Sequence, residues 1–149
     1  MRCDTVGRPM EILLVEDNRM DALFAIRALE KANFKHRCTL VVDGEEAMNY
    51  LLRRGIFARA PRPDLILLDL GLPKKDGREV LSELRAEEAL SDIPVVVLTG
   101  SSDEADIAHT QMLQVESYLV KPVDLDKFLG VVRQLKQYWH QGVILPAVE

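Results

Sequence analysis

Several residues of the sequence that could carry out chemistry stand directly after short apolar runs. In chain order, these residues are Glu16, Asp17, Asp69, Thr99 and Lys121. An aspartate can attack a phosphorus centre and carry the phosphoryl group as an acyl phosphate. A lysine can act as the counter-ion of that group, and a threonine hydroxyl can donate a hydrogen bond to one of its oxygens. Together, these side chain types could accept and hold a phosphoryl group.

Three of these residues are carboxylates, and they indicate a metal ion. Two like charges about 4 Å apart repel each other by about 4 kcal/mol at an effective dielectric of 20, so clustering Glu16, Asp17 and Asp69 requires a cation. Hard oxygen ligands at a small open site suit Mg²⁺. Alone, the pair Glu16-Asp17 has a plainer explanation, since acidic residues are favoured at helix N-termini. The magnesium prediction therefore depends on bringing Asp69 to the same place.

These residues can meet only if the apolar runs are neighbouring strands. The runs that favour strands are Glu11–Val15, Cys38–Val42, Asp64–Asp69, Val95–Leu98 and Ser117–Val120. Segments with apolar residues at helical spacing follow them, at about Asn18–Ala32, Asp43–Gly55, Gly77–Ala89, Asp103–Leu113 and Asp124–His140. This alternation predicts an α/β fold, a doubly wound five-stranded parallel sheet with helices on both faces. Residues that follow parallel strands meet at one edge of such a sheet.

Local signals mark some element boundaries. Asn18 is predicted to cap the first helix. Asp43-Gly44-Glu45-Glu46 is typical of a capping box, with Asp43 at the cap and Glu46 at the third helical position. The segment Gly55–Pro63 contains two prolines and is expected to be an irregular connection.

Composition narrows the class of protein. The chain has 149 residues, 48% apolar and 29% charged, which is typical of one globular domain. The net charge of −5 argues against a nucleic-acid surface, and no apolar run approaches the ~20 residues of a membrane span. Cys3 and Cys38 are interpreted as reduced thiols, and the first ten residues lack the apolar core of a secretion signal. We expect a cytoplasmic protein with a domain at 11–141 and tails at 1–10 and 142–149.

Four motifs, in this order, resemble the receiver domain of two-component response regulators. They are VEDN (Val15–Asn18), LLDLGLPKKDG (Leu67–Gly77), VVLTGSS (Val96–Ser102) and SYLVKPVDL (Ser117–Leu125). The resemblance covers about residues 10–140 and implies a flavodoxin-like sheet with strand order 2-1-3-4-5. It also implies a signalling protein rather than an enzyme, one that a sensor histidine kinase phosphorylates and that assists its own phosphorylation and dephosphorylation.

The resemblance assigns roles to the acidic residues. Asp69 would be the phosphoacceptor. Asp17, Asp69 and the carbonyl of Gly71 would bind Mg²⁺ directly, and Glu16 would act through water. Two residues depart from the family's common pattern, since Glu16 stands where Asp is frequent and Leu72 where Met is frequent. Both changes keep the charge or the apolar character, so they leave the implied site intact.

Further roles implied by the resemblance concern switching. Thr99 and Lys121 would bind the phosphoryl group, and Tyr118 would be the aromatic residue that responds to it. Lys121-Pro122 would be a cis peptide.

Phe24 lies off the apolar stripe of the first helix and is a candidate docking residue for the kinase's histidine domain.

A narrower resemblance concerns the partners. PRPDLILLDL, LPKKDGREVL and KPVDL, with the long loop before the third strand, are similar to small response regulators that partner phytochrome-type kinases. The predicted partners are thus a phytochrome-type sensor histidine kinase and an unnamed downstream protein. A homodimer is also predicted, because the tail Gly142–Glu149 is almost wholly apolar and receivers often pair through the face of their fourth helix, fifth strand and fifth helix. The alternative for the tail is that it folds back on its own domain.

Three other functions are alternatives to that of a receiver. An aspartyl-phosphate phosphatase of the haloacid dehalogenase kind would need a second Asp where Gly71 stands. A nucleotide or flavin binder would need a glycine-rich loop after the first strand, where Glu16-Asp17 would repel a phosphate. The third alternative is a degenerate receiver used as a protein-binding scaffold or phosphate sink, against which the intact acidic, hydroxyl and lysine set argues.

Overall fold

A single parallel sheet forms the centre of the molecule. The computed structural model describes residues 9–32, 35–100, 107, 112–121 and 123–142. Its strands are β1 (Met10–Val15), β2 (His36–Val41), β3 (Leu65–Leu68), β4 (Val95–Thr99) and β5 (Ser117–Val120). All pair in parallel in the order β2-β1-β3-β4-β5, which confirms the predicted fold and strand order. Met10, expected in the N-terminal tail, is buried and begins β1.

Helices cover both faces of the sheet, as predicted. They are α1 (Arg19–Lys31), α2 (Gly44–Leu51), α3 (Gly77–Ala86) and a C-terminal helix (Leu125–Gly142). Residues of α2 and α3 pack on one face of β1, β3 and β4 in one apolar cluster. Residues of α1 and Phe128 of the C-terminal helix pack on the other face in a second cluster. Two apolar layers therefore bury the central strands.

The predicted caps are present, with one difference. The Asn18 side chain accepts the N–H of Asp21 at 3.0 Å and begins α1. Asp43 accepts the N–H of Glu46 at 2.7 Å, as predicted for α2. However, Glu46 accepts the N–H of Val42 at 2.9 Å rather than that of Asp43. The return bond of the expected capping box thus reaches one residue further back and ties α2 to the end of β2.

Two helices end earlier than predicted. Helix α2 ends at Leu51, and a short 3₁₀ helix (Gly55–Phe57) lies in the connection expected to be irregular. Helix α3 ends at Ala86 instead of Ala89, because Glu87 adopts an extended backbone with φ −89° and ψ 113°. Arg85 donates hydrogen bonds to carbonyls of the following loop, which stabilises this early stop.

Several predicted features lie outside the described residues. They are Cys3, most of the helix Asp103–Leu113, the Lys121-Pro122 peptide and the tail after Gly142. Cys38 is a free, half-buried thiol, and its burial raises the pKa of the thiol to about 11. Among the described helices, none combines the length and the apolar character that a membrane crossing requires.

Candidate functional site

Backbone hydrogen bonds extend the sheet by one residue at the carboxyl ends of three strands. The N–H of Glu16 donates to the carbonyl of Val41 at 3.0 Å, and the N–H of Asp69 donates to the carbonyl of Val15 at 3.0 Å. The N–H of Lys121 donates to the carbonyl of Thr99 at 2.7 Å. Each functional side chain is therefore held by its own strand and by the neighbouring one. The convergence predicted for these residues is confirmed.

The three carboxylates meet as predicted. One oxygen each of Glu16, Asp17 and Asp69 lies within 4.8 Å of the others. Glu16 and Asp69 are 3% and 8% exposed, whereas Asp17 is open to solvent. Hard oxygen donors with one solvent-facing member fit a small divalent cation that keeps some of its waters. The donor set therefore suits the Mg²⁺ that the sequence predicted.

Lys121 lies at the centre of this acidic network. Its Nζ is 2.6 Å from Oε1 of Glu16, 2.9 Å from Oδ2 of Asp21 and 3.1 Å from Oδ2 of Asp69. The Lys121 side chain is only 16% exposed. An ammonium group has three N–H donors, so these three carboxylates can use all of them. The positive charge that the clustered carboxylates require is thus supplied from the chain itself.

Burial and charge act in opposite directions on this network. The pKa of Glu16 is raised to about 7, mainly by burial and to a smaller extent by the nearby charge of Asp69, against the hydrogen bonds from Lys121 and from the Asn18 N–H, which lower it. Burial alone would lower the pKa of Lys121, but its bonds to Glu16 and Asp21 and the charge of Asp69 raise it above its usual range. Lys121 therefore stays charged at every physiological pH.

The loop after Asp69 is packed tightly between two helix N-termini. The N–H of Gly71 donates to Oδ1 of Asp69 at 3.1 Å, so both carboxylate oxygens of Asp69 are held. A Cβ at Gly77, the first residue of α3, would overlap the backbone of Asp69, and one at Gly44, the first residue of α2, would overlap that of Lys75. Only glycine permits these two approaches, which fix the position of the loop.

The structure places Thr99 and Tyr118, the two residues with a predicted switching role, on neighbouring strands. Thr99 is 3% exposed and ends β4, next to the backbone of Lys121. Tyr118 is half-buried on β5, pairs in register with Val97 and packs against the cluster on the α2 and α3 face. The two residues therefore lie on adjacent strands, with Tyr118 three residues before Lys121.

An apolar groove runs along α1 beside the start of the C-terminal helix. Its volume is about 300 Å³, and its lining includes Met20, Leu23, Phe24 and Leu125. Phe24 is 38% exposed and Met20 is 73% exposed. The sequence pattern identified Phe24 alone, whereas the structure places it in a continuous apolar surface one helical turn from Asp21.

Sequence reasoning missed one member of the charged network. Asp21 lies in the first turn of α1, where an acidic residue is explained by the helix dipole alone. Its contact with Lys121 joins residues 100 positions apart. A pairing at that separation leaves no periodic signal in a single sequence.

Comparisons with known proteins agree with this geometry. Residues 12–133 match the response regulator receiver domain family. The response regulator Rcp1 of Synechocystis sp. is 42% identical over 144 residues, which cover 97% of this chain and 98% of Rcp1. The probable methanogenesis regulatory protein FilR2 of Methanothrix harundinacea is 43% identical over 132 residues, which cover 88% of this chain and 84% of FilR2.

Solved structures give the same result. The Mn²⁺-bound form of Rcp1 superposes with a TM-score of 0.78 and covers 93% of this chain and 100% of that one. The phosphorylated cyanobacterial phytochrome response regulator RcpA is 44% identical with a TM-score of 0.74, covering 94% of this chain and 100% of that one. The chain belongs to the response regulator receiver domain family.

Proposed function

We propose that this response regulator accepts a phosphoryl group on Asp69 and changes its protein-binding surface in response. One observation carries the proposal: the ammonium group of Lys121 lies 3.1 Å from the carboxylate of Asp69, beside Glu16 and Asp17. The unit that would act in this way begins at Met10, where β1 begins, and extends to about residue 141. The protein would be a signalling component that assists its own phosphorylation, rather than an enzyme with a separate substrate.

The chemistry is a displacement at phosphorus. A carboxylate oxygen of Asp69 forms a bond to the phosphorus of a phosphohistidine as the donor's N–P bond breaks, and the electron pair stays on the imidazole nitrogen. Charge on the transferred oxygens is matched by the ammonium of Lys121 and by N–H groups such as that of Gly71. The Asp69 side chain is only 10% exposed, so these interactions act where water weakens them little.

We assign the metal site to the same carboxylates. Asp17, Asp69 and the Gly71 carbonyl would bind Mg²⁺ directly, with Glu16 acting through water. Bound there, Mg²⁺ would neutralise charge on the carboxylates and on the incoming phosphoryl oxygens. The support is the set of three carboxylate oxygens within 4.8 Å.

Thr99 and Tyr118 would carry the response. Reversing a two-state equilibrium from 1:99 to 99:1 takes about 5.5 kcal/mol of differential stabilisation. Charge-assisted hydrogen bonds contribute about 1.5–3 kcal/mol each, so new bonds from the phosphoryl group to Thr99, Lys121 and a backbone N–H suffice. An inward movement of Thr99 would open space for the neighbouring Tyr118.

A beryllofluoride titration with Mg²⁺, followed by amide NMR, tests this function. Beryllofluoride imitates a phosphoryl group on an aspartate. We expect saturable shifts at Gly71 and Lys121, with further shifts at Tyr118. A protein that folds but shows no response to Mg²⁺ and beryllofluoride would instead be a degenerate receiver that serves as a scaffold. Shifts confined to the surroundings of Asp69 would identify a phosphate sink.

For the phosphoryl donor, we propose a sensor histidine kinase of the phytochrome type. The similarity to Rcp1 and RcpA supports this choice, whereas FilR2 shows that equally similar relatives bear other names. Initial rates of phosphoryl transfer from a phytochrome-type kinase and from unrelated histidine kinases show whether this chain prefers the phytochrome-type donor. Equal rates from all donors would remove the support for a phytochrome partner.

The groove on α1 would receive the kinase. Phe24→Ala should slow transfer from the phosphorylated kinase by about tenfold, as expected when an interface aromatic is truncated. Labelling by acetyl phosphate, which needs no docking surface, should stay unchanged. Ile56→Ala is the matched control, because Ile56 is 91% exposed on the separate 3₁₀ helix. If Phe24→Ala slowed labelling by the kinase and by acetyl phosphate equally, docking at this groove would be contradicted.

We also propose a homodimer that forms through the β5 face, in the cytoplasm. A cleft of about 240 Å³ lies at this face and is lined by Tyr118, Val120 and Lys127, among others. Val120 is 39% exposed, which leaves apolar surface for a second copy. Sedimentation equilibrium should detect a dimer that Val120→Glu and deletion of Gly142–Glu149 each weaken. A wild-type protein that stays monomeric at high micromolar concentration, phosphorylated or not, would exclude the dimer.

A further inference from the structure

Asp21 is the member of the charged network without an assigned role. Its Oδ2 lies 2.9 Å from Nζ of Lys121, and its side chain is 40% exposed in the first turn of α1. The helix dipole explains an acidic residue at this position. It does not explain a direct ion pair with Lys121, which follows β5. In the sheet, β3 and β4 lie between β5 and β1, the strand that precedes α1.

The three partners of Lys121 differ in what else they do. Glu16 also accepts the N–H of Asn18 at 3.0 Å and belongs to the carboxylate cluster that suits a metal. Asp69 belongs to that cluster too and is the proposed acceptor. Among the described residues, the cluster comprises Glu16, Asp17 and Asp69, and Asp21 is not part of it. Asp21 is therefore the partner that Lys121 keeps when a metal and a phosphoryl group engage the other two.

We propose that Asp21 is a positioning residue that holds the ammonium group of Lys121 at the phosphorylation site. This inference rests on the proposed role of Asp69 as the acceptor. A long lysine side chain loses conformational entropy when it is ordered. Because Asp21 orders Lys121 beforehand, less of that cost falls on the step in which the phosphoryl group is bound. Asp21 acts through Lys121 and does not contact the phosphoryl group.

The first test uses the protein in the presence of Mg²⁺, because a metal on the carboxylate cluster would leave Asp21 as the partner of Lys121 that lies outside that cluster. Asp21→Asn preserves the shape of the side chain and removes its charge, and it leaves the bond from the Asp21 N–H to Asn18 in place. NMR relaxation of the Lys121 side chain should show a lower order parameter in this variant. Glu30→Gln, an exposed position on the same helix, is the control and should leave Lys121 unchanged. An unchanged Lys121 order parameter in Asp21→Asn would overturn the proposal.

The second test measures beryllofluoride affinity with Mg²⁺ in a double-mutant cycle. Asp21→Asn should weaken binding about fivefold, the upper range for a partly exposed ion pair. The same substitution in a Lys121→Ala background should have no effect, because the residue through which Asp21 acts is gone. Asp21→Glu, which keeps the charge, should recover part of the affinity.

The outcomes separate this inference from the function on which it rests. If the wild-type protein shows no response to beryllofluoride, the proposed function fails and Asp21 has nothing to position. If the wild type responds but Asp21→Asn weakens binding equally in both backgrounds, the function stands and the positioning role is wrong. An equal loss in Glu30→Gln would also overturn it, since the effect would then be one of net charge.

Discussion

The central strands β3 and β4 and the edge strand β5 end at the same edge of the sheet, yet they are held very differently. Every residue of β3 and β4 is buried. In contrast, the residues of β5 are half-buried or exposed, and in this sheet β5 pairs with β4 alone. The central strands position Asp69 and Thr99, whereas β5 carries Tyr118 and positions Lys121.

In the proposed function, this difference separates the acceptor Asp69 from the residues that would respond to phosphorylation. A carboxylate that must attack phosphorus in a fixed geometry benefits from a rigid backbone, because misplacement of the reacting atoms lowers the rate. A surface that must change benefits from few buried contacts, because such regions open at low free energy. Lys121 joins the two regions, since it follows β5 while its ammonium group contacts Asp69 and Glu16.

The largest expected effect comes from removing the nucleophile in the rigid region. Asp69→Asn keeps the size of the side chain, so the fold should persist, but an amide cannot form the acyl phosphate. We expect no label from a phosphorylated kinase or from acetyl phosphate in the presence of Mg²⁺. Asp92→Asn, 82% exposed on the surface, is the control and should be labelled like the wild type. Wild-type labelling of Asp69→Asn would place the acceptor elsewhere.

The next effect breaks the link between the two regions. Lys121→Ala should still accept phosphate at Asp69, but more slowly, because a counter-charge is lost. Without the ammonium group, the phosphoryl charge loses its direct contact with the residue that follows β5, so amide shifts around Tyr118 should be muted, and those that remain would be carried through Thr99. Lys35→Ala, an exposed lysine that precedes β2 at the opposite edge of the sheet, should leave those shifts intact. If phosphorylated Lys121→Ala gives the wild-type spectrum, the link runs by another route.

Two glycines allow the packing of the loop after Asp69 and that of the C-terminal helix to be compared through the free energy of unfolding. Gly77→Ala would place a methyl group into the backbone of Asp69, and it should lower the free energy of unfolding by about 1–3 kcal/mol. Gly130, in the C-terminal helix, has open space where a Cβ would lie. Gly130→Ala should therefore raise the free energy of unfolding by about 0.5–1 kcal/mol. Urea unfolding measures both, and equal changes would mean that the loop after Asp69 is less constrained than its contacts indicate.

The strands and the acidic site could be predicted from the sequence because both depend on local patterns. The runs that became β3 and β4 are continuous and apolar, and the run that became β1 is apolar from Ile12 to Val15, as strands buried on both faces must be. Once those strands are parallel, their carboxyl ends meet, so Glu16, Asp69 and Lys121 could be brought together without coordinates. This part of the prediction needed only strand identity and direction.

The missed features depend on contacts between distant segments. Asp21 and Arg85 both look like ordinary surface charges on amphipathic helices, and their partners lie 100 and up to 29 residues away. The end of α3 was misplaced for the same reason. Residues after Ala86 include strong helix formers, but Arg85 stabilises the loop that follows instead. The helix propensity of the residues after Ala86 cannot predict that the hydrogen bonds of Arg85 favour a loop there.

The last expected effect concerns the contacts that hold the edge strand β5 to the rest of the molecule. Arg85 on α3 donates to the carbonyl of Leu113 at 2.7 Å and to that of Gln114 at 3.2 Å, just before β5 begins. The same guanidinium donates to the carbonyls of Ser91 and Ile93, each at 2.9 Å. Burial lowers the pKa of Arg85, and the nearby charges of Glu116 and Asp92 act in the opposite direction.

Arg85→Lys should therefore weaken the start of β5 while leaving the acceptor region unchanged. A lysine ammonium is a compact point charge with three donors, and it cannot span four carbonyls as the planar guanidinium does. We expect the free energy of unfolding to fall by about 1–2 kcal/mol, which corresponds to the loss of one or two hydrogen bonds. Amide hydrogen exchange should accelerate in β5 more than in β3.

Arg62→Lys is the matched control, because Arg62 is exposed and pairs with Asp92 at 2.6 Å. Its effect on the free energy of unfolding should stay below about 0.5 kcal/mol. If exchange accelerates equally in β3 and β5, the edge strand is not held separately, and the contrast between the two regions does not extend to their dynamics.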